Sequence, residues 1–286
     1  METFTINKFS KMKNNLLWQN NIWKDIDNSF LSIKDRGLRF SDGIFETILI
    51  KNNKPILLNE HLNRFEKTIN LLKFENIIGK IPFELIIKEG IKKLGLNDKE
   101  YGSIRINYSR GINEGRSIKV NQNNSIFQPN NLWIEFYIID INFTPISTNI
   151  SKTEKRNEYS ILSQCKTFSY SQSIQALIEA NNKNFDDSLI LNTSNELCCG
   201  TTFNLLLKRN NKWITPRKAS GCLPGIMIHR LLKLKLIEED FIEPEFEKKD
   251  ILIAMNSLFC RQIKRVNEIE FINDFDTKYY WDLLYI

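Results

Sequence analysis

Residues 43–72 narrow the folds open to this chain more than any other stretch. Gly43–Lys51 (GIFETILIK) is apolar and β-branched, Asn52-Asn53 is a turn signal, and Lys54-Pro55-Ile56-Leu57-Leu58 resumes the apolar run, which predicts a hairpin. Leu58, Leu62, Phe65, Ile69 and Leu72 then recur at spacings alternating between four and three, with polar residues between them, so a helix follows at once. A hairpin feeding directly into an amphipathic helix points to mixed architecture.

The rest of the chain repeats this mixture. Strands are expected at 102–109 (GSIRINYS) and 132–139 (LWIEFYII), with a loop over 111–131. Near 141–155 (INFTPISTNISKTEK) the periodicity is lost and the sequence turns polar around Pro145. That change divides the chain into an N-terminal α+β domain over 1–145, a linker over 146–155 and a C-terminal α+β domain over 156–286. The second half begins with a helix at 169–182 that carries Ile174, Leu177 and Ile178 on one side. Strands follow at 187–192 (DSLILN) and 203–208 (FNLLLK), then an Arg209-Asn210-Asn211-Lys212 turn, a returning strand at 213–215, and a helix after Pro224-Gly225. The fold class is therefore α+β in two domains, without the βαβ alternation of a doubly wound sheet. Short Asn pairs act as punctuation between elements.

Composition removes several kinds of function. The 286 residues, 42% hydrophobic and 26% charged, suffice for one large or two ordinary cores. Only His61 and His229 are present, so a His-built metal centre is not expected, and any His-dependent triad must use one of these two. The net charge of +6 is spread through alternating signs, and the aromatics sit in apolar-periodic segments, not along a basic stripe; nucleic acid is not the expected partner. Five cysteines, Cys165, Cys198, Cys199, Cys222 and Cys260, fall in the second half without a CxxC, which fits a reducing cytoplasmic compartment. The first residues, METFTINKFSKMKNN, hold no apolar core of a signal peptide, and no stretch approaches the roughly eighteen apolar residues of a membrane span. A soluble protein is expected.

Four segments taken together carry the chemistry: 35–47 (DRGLRFSDGIFET) with 60–65 (EHLNRF); 165–170 (CKTFSY); 199–205 (CGTTFNL) with Thr215-Pro216 and 223–227 (LPGIM); and 256–258 (NSL). Their order and spacing, from about residue 35 to about 265, resemble the class IV aminotransferase family. These are the fold-type IV pyridoxal-phosphate enzymes, which include branched-chain and D-amino-acid aminotransferases and 4-amino-4-deoxychorismate lyase. The resemblance implies the two-domain D-amino-acid aminotransferase-like fold, pyridoxal 5'-phosphate as cofactor, a small-molecule amino substrate, and a homodimer with its site near the interdomain cleft.

Lys166 stands just before a helix, between Cys165 and Thr167 and among few charges, where desolvation can strip the proton that a nucleophilic lysine must lose. Read alone it is an ordinary surface lysine; the resemblance makes it the cofactor anchor and the catalytic proton carrier. Gly225, Ile226 and Met227 open a helix whose free N–H groups suit a phosphate. Pro-Gly before a helix is otherwise only a turn. The resemblance adds Arg64 and Ser257 to the phosphate and Tyr170 to the cofactor ring, where bland readings are a solvated helix-face cation for Arg64 and half-burial for Tyr170.

Cys199 stands five residues before Asn204, where the family has a glutamate that pairs with the ring nitrogen. Glu196, three residues earlier, takes that place only if the loop holds an insertion. Leu206 and Ile228 depart from aromatic and basic family positions. Arg39, Arg105 and Arg110 are candidates for substrate carboxylates or are surface cations. His61 and His229 read as packing or capping residues.

Cys199, the modest length, the Cys198-Cys199 pair and Gly-Ile-Met at 225–227 lean toward the lyase, which releases 4-aminobenzoate and pyruvate in folate synthesis. An aminotransferase of branched-chain or D-amino acids is the alternative.

Overall fold

A computed structural model describes residues 15–97, 100–113, 115–120 and 131–283. The N-terminal segment and residues 121–130 of the expected loop lie outside the described residues.

The first sheet has six antiparallel strands: β1 (Asn15–Gln19), β2 (Ile22–Lys24), β3 (Gly43–Lys51), β4 (Lys54–Pro55), β5 (Tyr101–Ser109) and β6 (Leu132–Ile139). Their order is β2-β1-β6-β5-β3-β4. Alternate residues Ile44, Ile48, Ile50, Ile104, Ile106, Ile134 and Phe136 bury one face. A short helix α1 (Arg36–Phe40) precedes β3, and α2 (Leu58–Leu71) and α3 (Phe83–Leu94) cover that buried face with Phe65, Ile69, Ile87 and Ile91. The expected hairpin and its helix are β3, β4 and α2. Turns Asn20-Asn21, Asn52-Asn53 and Asn210-Asn211 all have φ between +50° and +62°, a region asparagine tolerates well, so the Asn pairs do punctuate strands.

The second sheet runs β12-β11-β10-β13-β14-β7-β8-β9, with β15 beside β14. Its strands are β7 (Ile146–Arg156), β8 (Asp187–Asn192), β9 (Leu197–Gly200), β10 (Asn204–Arg209), β11 (Lys212–Pro216), β12 (Glu238–Asp240), β13 (Ile251–Met255), β14 (Cys260–Val266) and β15 (Ile269–Glu270). Helices α4 (Ser171–Asn181), α5 (Ile226–Lys233) and α6 (Thr277–Leu283) accompany it. A shared core joins the two sheets: Leu49, Ile56, Leu57 and Tyr101 meet Leu206, Met227, Leu231, Met255 and Trp281.

Two expectations are corrected. Residues 146–155 are not a linker; they form most of β7, an interior strand paired in parallel with β14 and β8. The strand reads as polar because Thr148, Asn149 and Ser151 are buried on it, and α4 meets much of that polarity while Asn149 Oδ1 has no partner among the described residues. Glu179 of α4 accepts from Ser151 Oγ (2.9 Å), Thr153 Oγ1 (2.9 Å) and Asn149 Nδ2 (3.4 Å). The second correction concerns α4. Its buried side is Ser173, Ala176 and Ala180, while Ile174 and Ile178 face outward, because small residues let the helix lie close against the sheet.

Candidate active site

Residues 166–168 cross from the second sheet to the start of β3. Phe45 N–H donates to Lys166 O and Phe168 N–H to Gly43 O, both at 2.9 Å. Gly43 permits this approach, since a Cβ there would lie 2.2 Å from the Phe168 ring. The crossing carries the Lys166 side chain into a cavity between the sheets. Its Nζ donates to Tyr170 Oη (3.3 Å) and lies 4.3 Å from the Phe45 ring centre. Burial, with Arg64 and Arg105 nearby and only Glu46 opposing, lowers the Lys166 pKa to about 7. At neutral pH much of this amine is therefore unprotonated and nucleophilic.

The cavity has two lobes that share Lys166, Tyr170, Thr202, Asn204 and Leu223 as walls. One, of about 290 Å³, is lined by Arg64, Arg105, Phe45, Gly225 and Ser257. The other, of about 240 Å³, is lined by Arg156, Cys199, Gly200 and Phe203. In the larger lobe Gly225 caps α5 without any side-chain hydrogen bond, so the first N–H groups of that helix remain available to an anion. Asn204 seals this corner: Nδ2 donates to Leu223 O (2.9 Å), and a Cβ on Gly225 would meet Asn204 Oδ1 at 2.0 Å. The Ile226 and Met227 side chains are buried, so these residues can serve an anion only through their backbone.

Arg64 reaches the same corner from α2. Its Nε and Nη2 donate to the two carboxylate oxygens of Glu46 (2.8 and 2.7 Å), and Nη1 donates to Pro224 O (3.0 Å), tying α2 to the start of α5. Glu46 is 1% exposed and also meets His61 Nδ1 at 2.7 Å. Burial alone would raise its pKa, but Arg64 and the His61 and Arg64 hydrogen bonds prevail and hold it at about 2. Sequence reading missed Glu46. Its signal is an acid in register with Ile44 and Ile48 on the core face of β3, which requires a buried partner.

In the smaller lobe a register irregularity between β8 and β9 makes Cys198 the extra residue. Cys199 shares this lobe with Arg156 from the end of β7, whose Nη1 and Nη2 donate to Gln172 Oε1 (3.4 Å) and Ser173 Oγ (3.1 Å). The neighbouring Cys198 thiol and the Arg156 charge lower the Cys199 pKa against the opposing effect of burial. Glu196 does not border the cavity; it is engaged by Arg217 and by Ser220 Oγ (2.8 Å). Arg156, the last residue of β7 and one position past the stretch read as a linker, is the second residue that sequence reading missed.

The three arginines expected to meet a substrate separate. Arg105 lines the larger lobe, stacked 3.7 Å from the Phe45 ring centre, with Nε donating to Asn107 Oδ1 (2.8 Å). Arg39 is exposed and donates to Asn113 O (3.2 Å) and Gly115 O (3.0 Å). Arg110 is held by Asp42, Leu72 O and Lys73 O over Phe74. Neither Arg39 nor Arg110 borders the cavity.

A nucleophilic lysine beside an uncapped helix start, an arginine and a hydroxyl fits an aldehyde-bearing phosphate ester such as pyridoxal phosphate. The comparisons agree. The model of the amino-transferase class IV family matches residues 43–266. Branched-chain-amino-acid aminotransferase-like protein 2 of Arabidopsis thaliana is 26% identical over 226 residues, 75% of this chain but only 38% of that protein's length. The aminodeoxychorismate lyase of Bacillus subtilis is 30% identical over 101 residues, 35% of this chain and 33% of the lyase. An aminotransferase from Brucella abortus, solved with bound pyridoxal phosphate, shares the fold at TM-score 0.81 and 15% identity, covering 95% of this chain and 99% of its own. The family match begins at the first residue of β3 and ends at the last of β14, and the chain belongs to the class IV aminotransferases, fold-type IV enzymes that use pyridoxal 5'-phosphate.

Proposed function

We propose that this enzyme is a lyase converting 4-amino-4-deoxychorismate to 4-aminobenzoate and pyruvate. The observation that carries this reading is the Cys199–Arg156 pair at the end of the smaller lobe. A thiol group set beside a guanidinium offers a pyridine nitrogen less negative charge than an unmatched carboxylate, so it stabilises the protonated nitrogen less. When bound, pyridoxal phosphate takes the substrate amine covalently and accepts the electron pair left at the neighbouring carbon. A weaker electron acceptor suits a reaction driven by aromatisation of its product.

The chain's own residues divide the remaining work. Arg64, Ser257 and the N–H groups at 226 and 227 hold the phosphate, with Gly225 allowing close approach. Tyr170 borders the ring and steers the Lys166 amine. With the cofactor in place, the Lys166 amine would serve as the base that takes a proton from the substrate carbon next to the amine. Arg105 offers its Nη groups, unengaged among the described residues, to a substrate carboxylate.

The second reading is an aminotransferase, favoured by the length of the branched-chain relative's match, 75% of this chain against 35% for the lyase. A homodimer belongs to either reading: Ile33, Tyr159, Ile161 and Leu162 are exposed, the last bordering the cavity, and a second copy would cover them. Five free thiols fit a cytoplasmic setting.

The test offers purified enzyme aminodeoxychorismate in one arm, and D-alanine or branched-chain amino acids with a keto acid in the other. Release of 4-aminobenzoate and pyruvate is expected. Transamination without 4-aminobenzoate would overturn the lyase assignment in favour of the second reading.

A further inference from the structure

The buried Glu46–His61 pair stands against Ser257 at the anion corner and has no part in the chemistry so far. His61 is 1% exposed, and its two ring nitrogens have different neighbours. Nδ1 faces the Glu46 carboxylate at 2.7 Å, and Nε2 faces Ser257 Oγ at 3.4 Å. A carboxylate only accepts, so Nδ1 carries the proton, and in the neutral ring Nε2 is an acceptor. The Ser257 hydroxyl then points its hydrogen at His61, away from any anion in the cavity.

The charge balance points the same way. Arg64 reaches this corner, yet two of its nitrogens are committed to Glu46 and a third to Pro224 O. Glu46, Arg64 and neutral His61 together carry no net charge. Burial first, and then Arg64 and Lys166, disfavour the protonated ring, while Glu46 favours it. A phosphate dianion arriving at Ser257 and the start of α5 adds the missing negative charge close to Nε2.

We propose that His61 is a positioning residue that takes up one proton when the phosphate group binds, turning Ser257 from a donor to His61 into a donor to the anion. The proton comes from solvent and bonds to Nε2. The new Nε2–H donates to Ser257 Oγ, and the Ser257 O–H rotates onto a phosphate oxygen. Glu46 balances the imidazolium from the other side. By linkage, phosphate binding tightens as pH falls through the interval between the anion-free and anion-bound midpoints of His61. The charged groups facing the ring are Glu46 on β3, Arg64 on its own helix and Lys166 on the crossing segment. This inference rests on the reading of the corner as the cofactor's phosphate site.

The chain is well suited to the test, because His61 and His229 are its only histidines and His229 is exposed. His229→Gln leaves a single imidazole to follow by nuclear magnetic resonance. Its ring shifts are titrated in the full chain freed of cofactor, in the same protein saturated with sulfate, a dianion with no proton of its own in this range, and in the pyridoxal-phosphate-loaded enzyme. The expected result is an upward move of the His61 midpoint by about one to three pH units with sulfate and with cofactor. In His61→Gln, sulfate affinity loses the part of its pH dependence that follows the His61 midpoint and keeps only the part that follows Lys166. An unmoved midpoint, with sulfate bound and the cofactor absorbance band present, overturns the inference and leaves the cofactor site standing. Failure of both sulfate and pyridoxal phosphate to bind overturns the site reading and this inference with it.

Discussion

At the scale of single residues, burial converts ordinary side chains into chemical ones. Lys166 is one of 40 basic residues and is distinguished by its enclosure, which lowers its pKa to about 7. Its neutral form is the reactive one, so in cofactor-free enzyme the rate at which the cofactor absorbance band grows should rise with pH and level off just above 7. A rate still climbing at pH 10, as for a solvated lysine, would contradict this; Lys166→Ala should form no band that borohydride bleaches. Gly225 has a purely steric role. Gly225→Ala drives a methyl against Asn204 Oδ1, so the variant should fold by circular dichroism but bind pyridoxal phosphate about tenfold or more weakly. Cys199 and Glu196 were both open from sequence. Partners and place separate them, since Glu196 is spent on Arg217 and Ser220 whereas Cys199 borders the cavity.

At the scale of elements, periodic segments were legible and inverted ones were not. The β3–β4 hairpin, α2, β5 and β6 have apolar faces that declare themselves along the chain. β7 does not, because its inward side chains are polar and draw partners from other elements, Asn149 and Ser151 from Glu179 of α4 and Thr148 from Arg265 O of β14. α4 misleads for the opposite reason: its isoleucines face outward and its packing surface is made of alanine and serine. α3 depends on a similar small residue. Gly90 sits where a Cβ would lie 2.3 Å from the Phe136 ring, so the helix reaches the sheet only without a side chain there. Gly90→Ala should therefore destabilise the protein by about 1–3 kcal/mol in denaturant titration, despite alanine's better helix propensity. A stabilised variant would show that α3 has room to move outward.

At the scale of the whole molecule, Glu46 and Arg64 hold the two sheets in relation to one another, since Arg64 links β3 to the loop before α5. The Glu46 pKa is depressed from 4.5 to about 2, so its contribution to stability is fully present above about pH 4.5 and is lost as pH falls through about 2. The shift corresponds to about 3 kcal/mol. Unfolding free energies measured at pH 5 and at pH 2.5 should show much of this loss in the unaltered chain, and Glu46→Gln should lack that component; equal acid sensitivity in both would refute the assignment. The sequence by itself determined the α+β class, the Asn-pair turns, the main hairpin and helix of the first sheet, and the segments that mark the family. Each of these is written in local periodicity or in fixed residue types. Only the tertiary structure decided which cations serve the cavity, with Arg105 and Arg156 inside it and Arg39 and Arg110 outside, and only it joined Glu46 to His61 and Ser257. Those choices depend on contacts between residues as much as 196 positions apart, and burial and partnership at such separations leave no trace in local spacing.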